Sequence, residues 1–203
     1  MSTIPPRRLP VLAAAVLAVL ASGAPAWAAS GPSFATAPAL PTLPAVTLNG
    51  QAQTVTTTMT NFAIASATAG QGWNLTVNGL SGAGDSAVFK QYCTRATCGT
   101  DSGPGYVTGG YTMSAGSLTL NTTGASWTTT GTKPAFQCNS GCSVDSASAV
   151  KVVSASTSVA TGTWTTTGFS AASLSLHIPT TLRKLQANEV YRVNVVWTLN
   201  TGP

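Results

Sequence analysis

From residue 45 onward the chain breaks into short runs of Thr, Val, Leu and aromatic residues. VTLNG, QTVTTTMTNFAIA, GWNLTVNGL, GSLTLNTTG, SAVKVVSAS, VATGTWTTTGF, ASLSLHI and EVYRVNVVWTLN follow one another, separated by Gly, Asn, Ser and Pro. Val and Thr are branched at Cβ, stiff about χ1 and at ease in extended backbone, whereas the separators favour turns. No stretch keeps a helical period beyond a turn or two; PTTLRKLQANE comes nearest and reads as a short turn. Many short strands in one chain predict an all-β fold. We expect a single β-sandwich of Ig-like or Greek-key type over residues 45–203, with long loops. The segment from Phe89 to Gly110, with its cysteine pair and Gly-Pro-Gly, reads as an excursion from it. SWTTTGT from Ser126 and TWTTTGF from Thr163 repeat each other once, as two analogous hairpin strands would.

The N-terminal residues have a different pattern. Arg7 and Arg8 precede an apolar run from Val11 to Leu20, and Ala26-Trp27-Ala28 supplies a small–x–small site. This is the order of an export signal, residues 1–28, removed after Ala28. The apolar run is shorter than the roughly 20 residues that cross a bilayer. A twin-arginine route is the second choice. Cleavage would leave 203 − 28 = 175 residues, secreted and without a membrane span, enough for one well-buried domain. Residues 29–44 carry Pro32, Pro38, Pro41 and Pro44 and read as a Pro/Ala-rich linker.

Charge is sparse, 6% of the chain. Beyond residue 28 there remain 9 − 2 = 7 Lys and Arg against four acids, a balance of 7 − 4 = +3. These charges are scattered along the sequence, with no basic stripe, so nucleic acid is not an expected partner. Weak attraction to an anionic surface is allowed.

Cys93, Cys98, Cys138 and Cys142 are expected to pair in an exported protein. Three connectivities exist, and the spacing favours two local staples, Cys93–Cys98 and Cys138–Cys142, each contributing about 2 kcal/mol. A four-thiolate zinc site is the less favoured alternative, so no metal is expected.

Side chains alternate along a strand, so residues two apart share a face. Tyr191, Val193, Val195, Trp197 and Leu199 fall on one side of the last run, and Arg192, Asn194, Val196, Thr198 and Asn200 on the other. Upstream, Trp73, Leu75 and Val77 oppose Asn74, Thr76 and Asn78. An exposed stripe of that apolar content would form a patch soluble monomers rarely carry. The favoured reading therefore puts Trp73 and Trp197 in the core, with ligand contact as the alternative. Asn74, Thr76, Asn78, Arg192, Asn194, Thr198 and Asn200 then form a candidate polar binding face.

The strand Gly72-Trp73-Asn74-Leu75, with the terminal Tyr191 and Trp197-Thr198-Leu199 run followed by Gly202-Pro203, resembles the WxL domain. The similarity would extend over about residues 45–203. It implies an exported protein of Gram-positive bacteria that attaches non-covalently to the cell wall, with peptidoglycan as the proposed ligand. Only Asn200 to Pro203 follow Leu199, so retention without a covalent sorting tail is expected.

Parts for catalysis are few. His177 is the one histidine and lies opposite Leu174, Leu176 and Ile178 on a strand-like run. No Gly-x-Ser-x-Gly elbow is present, and Asp85, Asp101, Asp145 and Glu189 are the only carboxylates available for a glycosidase pair. We therefore expect no enzyme and no cofactor. Two functions remain: a wall-associated surface protein that binds glycan and contacts other surface proteins, or a secreted adhesin or pilus-like subunit working through protein contacts.

Overall fold

A computed structural model describes residues 18–19 and 31–202, except 67, 69, 96, 99, 100, 130 and 160. The expected export signal, apart from Ala18–Val19, lies outside the described residues. In chain order the strands begin with β1 (Ala18–Val19), β2 (Ser33–Thr36), β3 (Gln53–Thr57), β4 (Ala63–Ser66), β5 (Trp73–Gly79) and β6 (Lys90–Cys93). Short pieces follow: β7 (Thr97–Cys98), β8 (Asp101–Ser102), β9 (Gly105–Tyr106), β10 (Leu118–Leu120), β11 (Ser126–Trp127), β12 (Ala135–Phe136) and β13 (Cys142–Ser143). The chain ends with β14 (Val150–Ala155), β15 (Gly162–Thr167), β16 (Leu174–Ile178), β17 (Glu189–Arg192) and β18 (Asn194–Thr201). No helix occurs among the described residues. The all-β expectation is borne out.

The fold is a two-layer sandwich. One layer is the sheet β1-β18-β5-β14-β12, antiparallel except where β1 runs parallel to β18 at Asn194 and Val195. The other layer consists of two sheets, β13-β10-β16-β3 and β11-β15-β4-β2. The order explains the split: β3 leads into β4, β15 into β16 and β10 into β11, so three long strands each run through both sheets with a break in the middle.

Side chains and glycines hold that break together. Buried Thr166 takes the Phe62 N–H on its hydroxyl at 2.8 Å and returns the hydroxyl proton to the Phe62 carbonyl at 3.1 Å. The Ser173 hydroxyl accepts the Met59 N–H at 2.7 Å. Gly124 and Gly168 have φ of 85° and 76°, and a Cβ on Gly168 would stand 2.9 Å from the Gly124 carbonyl oxygen. Both therefore sit where a side chain is strained. The two Trp-Thr-Thr-Thr segments are direct neighbours, with Trp127 opposite Thr166.

Aromatic rings join the layers. Trp73 packs on Trp164 with centroids 5.8 Å apart, Trp197 on Phe62 at 6.5 Å, and Trp127 stacks on Phe136 at 4.9 Å. Each large apolar side chain buried there gains about 1.5–3 kcal/mol. The lead-in expected as a linker takes part: Ser33–Thr36 pairs with β4, and Leu40 and Leu43 are buried in the core. Prolines rule out a helix in this stretch but leave it free to extend along a sheet edge, which is where β2 lies. Residues 31–44 are thus part of the fold.

At one end the β5–β18 pair continues into a smaller sheet, β17-β6-β9. Val193 separates β17 from β18, and the segment between β5 and β6 bulges out before the pairing resumes with Arg192 opposite Lys90. The expected excursion from Phe89 to Gly110 supplies β6 to β9, and the bonded Cys93–Cys98 pair lies within it.

Candidate functional site

The two Trp-x-Leu strands are bonded side by side. Trp197 is opposite Val77, Leu199 opposite Leu75 and Thr201 opposite Trp73. Trp73 is 1% exposed and Trp197 7%; Leu75 is fully buried and Leu199 half-buried against the core. Both indoles point inward, so the Trp residues of the two Trp-x-Leu strands build the sandwich interior and leave no aromatic on the outer side of these two strands. The Trp197 Nε1 proton is buried without a partner.

The outer face of the same strands is amide and hydroxyl. Asn74, Thr76, Asn78 and Asn200 are half-exposed and Thr198 is exposed. Asn200 lies opposite Asn74, and Thr198 opposite Thr76. The Asn200 amide donates to Asn74 Oδ1 at 3.1 Å and to Thr76 Oγ1 at 3.4 Å, while the Asn74 amide donates to the Gly202 carbonyl at 2.8 Å. β14 widens the surface, with exposed Lys151 beside Thr76 and Ser154 beside Asn74.

Arg192 and Asn194 stand apart from this group. Asn194 is buried: its amide donates to Asp85, its Oδ1 accepts the Tyr106 hydroxyl at 3.0 Å, and its N–H donates to the Ser86 carbonyl at 3.0 Å. Strict alternation would turn it to solvent, but the strand is interrupted at Val193 and the segment leaving β5 covers it. Arg192 belongs to β17, where its guanidinium lies 4.5 Å from the centroid of Tyr92 and its Nε is buried without a partner.

This end of the molecule collects residues that are far apart in sequence. All four tyrosines, Tyr92, Tyr106, Tyr111 and Tyr191, lie on β6, β9 or β17 or in the turn beside them. Lys90, Arg95, Arg183, Lys184 and Arg192 are on β6 or β17 or in the segments flanking them, leaving Lys133 and Lys151 elsewhere among the described residues. Burial pushes the Tyr106 phenol up to about 12, against the pull of Arg192. Burial raises Tyr191 to about 12 as well, and its hydroxyl donates to the Arg183 carbonyl at 2.9 Å. Gly110 to Thr112, Pro179, Thr181 to Arg183 and Tyr191 enclose a cleft. Nothing in the sequence marked it, because Tyr111 and Arg183 share no period or motif; strand pairing alone brings them together.

The remaining sites are structural. Cys93–Cys98 and Cys138–Cys142 are both disulfides, the two local staples, which sets aside the zinc alternative for these cysteines. Among the described residues no group of three or more His, Cys, Asp or Glu side chains could hold a metal ion. No helix among them is long and apolar enough to cross a membrane. His177 is exposed on β16 opposite Thr54. Asp145 is fully buried; its Oδ1 accepts the Gly116 N–H at 2.9 Å and the Ser143 hydroxyl at 3.3 Å, and its Oδ2 has no partner. Burial holds this carboxyl up at about 6. Compared with family models, curated proteins and solved structures, the chain has no match in any of the three.

Proposed function

We propose that the protein is an exported surface protein that associates non-covalently with the bacterial cell wall, its β5–β18 outer face lying against peptidoglycan glycan. One observation carries this reading. The two Trp-x-Leu strands pair directly, and the pairing turns a continuous amide and hydroxyl surface outward. Sugars present hydroxyls that both donate and accept, and Asn and Thr side chains can meet both needs. The Asn74–Asn200–Thr76 bonds hold these groups in place beforehand, which lowers the ordering cost of binding. The two strands also resemble those of WxL domains in sequence, which favours the same ligand.

The test is sedimentation of the purified protein with purified insoluble peptidoglycan. Saturable binding that persists at raised salt supports the reading, since its contacts are hydrogen bonds rather than ion pairs. Failure to sediment over a broad concentration range refutes it.

A second reading, a secreted adhesive or pilus-like subunit, is favoured by the edge of β18. Among the described residues, β1 covers that edge only at Asn194 and Val195, and β1 itself belongs to the segment expected to be removed on export. The rest of the strand presents backbone groups that could take up a strand from another chain. Concentration-dependent self-assembly without wall material is the outcome this reading expects.

A further inference from the structure

The cleft beside β17 is built around a cation that forms no ion pair among the described residues. It is a half-open cleft of about 430 Å³. The Arg183 guanidinium lies over the Tyr111 ring, 5.7 Å from its centroid, and none of its N–H groups has a hydrogen-bond or ion-pair partner among the described residues. Among the described residues Glu189 makes no ion pair with it; the Glu189 Oε2 accepts the Gln186 N–H at 3.0 Å. A guanidinium presents its donors as a fixed planar fork that matches the paired oxygens of a carboxylate or phosphate.

The second wall is an aromatic plate. Tyr111 is 49% exposed, the only large hydrophobic residue so open among the described residues. A phenol ring offers apolar area to the C–H side of a sugar together with a hydroxyl at its rim. Both parts are held in place. The Tyr111 N–H donates to Gln91 Oε1 at 3.1 Å and its carbonyl accepts the Gln91 N–H at 2.8 Å. The Tyr191 hydroxyl fixes the Arg183 backbone from the other side. Exposed Thr112 and Thr181 add hydroxyls around the opening.

From this arrangement we propose that the cleft binds a sugar unit carrying an acid group, a carboxylate or a phosphate. Arg183 takes the acid group and Tyr111 lies under the ring. An uncharged apolar ligand would strip water from the guanidinium and return no hydrogen bond. A bare anion would leave the phenol plate unused. The site lies apart from the β5–β18 outer face and does not rest on the wall-binding reading.

The test is titration of the purified protein, followed by calorimetry and by NMR shifts, with matched sugars. Glucuronate and glucose 6-phosphate are compared with glucose, and N-acetylmuramate with N-acetylglucosamine. At least one acidic sugar is expected to bind about tenfold more tightly than its neutral counterpart, as a charged hydrogen bond implies. Whether the carboxylates or the phosphate bind best identifies the source of the acid group. R183Q should abolish the preference and Y111A should weaken binding of both members of a pair; both positions are exposed, so melting should be unchanged. T198E, on the other surface, should leave this binding intact. Equal affinity for acidic and neutral sugars, an acid preference surviving in R183Q, or no saturable binding of any acidic sugar would overturn the proposal.

Discussion

Trp73 and Trp197 stand on neighbouring antiparallel strands, and each turns its indole into the sandwich onto a different ring of the opposite layer, Trp164 and Phe62 respectively. They belong to one sheet, four positions apart along the strand pair, rather than facing each other across the core. Each therefore ties the β5–β18 pair to the second layer at a separate point.

Removing these contacts should be felt as lost stability. Trp73→Ala is expected to cost about 3–5 kcal/mol, as large-to-small core changes do. Trp197→Phe keeps a ring against Phe62 and removes the unpartnered Nε1 proton, so its cost should be smaller, about 1–2 kcal/mol. Urea denaturation of the two variants measures both. Equal stability of W73A and the parent would contradict the core assignment.

Asp145 makes stability depend on pH. Its folded carboxyl titrates at about 6, above the ordinary value of 3.8, because it is buried and one oxygen has no partner. The favourable contribution of the protonated form is complete below about pH 4 and is lost as pH rises through 6. Ionisation at neutral pH then costs roughly 2–3 kcal/mol. Asp145→Asn keeps an acceptor for the Gly116 N–H and carries no charge. Its stability relative to the parent should rise between pH 4 and 7 and level off above that. A difference that stays flat with pH would show that the carboxyl titrates normally.

The break in the second layer depends on two glycines. Gly168→Ala puts a Cβ 2.9 Å from the Gly124 carbonyl oxygen at a backbone angle that disfavours any side chain. A loss of about 1–3 kcal/mol is expected. Gly131→Ala serves as a control: its φ is also positive, at 112°, but open space surrounds it, so the difference between the two isolates the close contact.

Cys138–Cys142 and Cys93–Cys98 each close a short loop. Replacing either pair with Ala should lower stability by about 2 kcal/mol while the far-ultraviolet spectrum stays that of a β protein. Collapse of the spectrum on losing either pair would mean that the core does not hold the fold by itself.

The fold class and the inward side of β5 and β18 were legible because they rest on alternation, which a short window of sequence displays. Trp73, Leu75 and Trp197 followed that rule, as did Asn74, Thr76 and Thr198 on the other side. Asn194 broke it: a distant segment covers it where the strand is interrupted at Val193, and no local pattern records such a cover. The lead-in was obscured for a different reason. Its prolines signal extended chain, and an extended chain can be a spacer or an edge strand; Phe34, Leu40 and Leu43 decide the matter by packing against the core. The cluster of tyrosines and arginines was illegible because its members meet only through the β6–β17 pairing.

The most direct measurement compares T198E and W197F for binding to insoluble peptidoglycan, with each variant's melting recorded alongside. Thr198 is exposed at the middle of the proposed wall-facing surface, whereas Trp197 is buried beneath it. The expected result is that T198E melts like the parent yet loses wall binding, while W197F melts earlier and, when folded, still binds. Retained binding in T198E, or lost binding in W197F with unchanged melting, would contradict both the outward role of the amide face and the inward role of the indole.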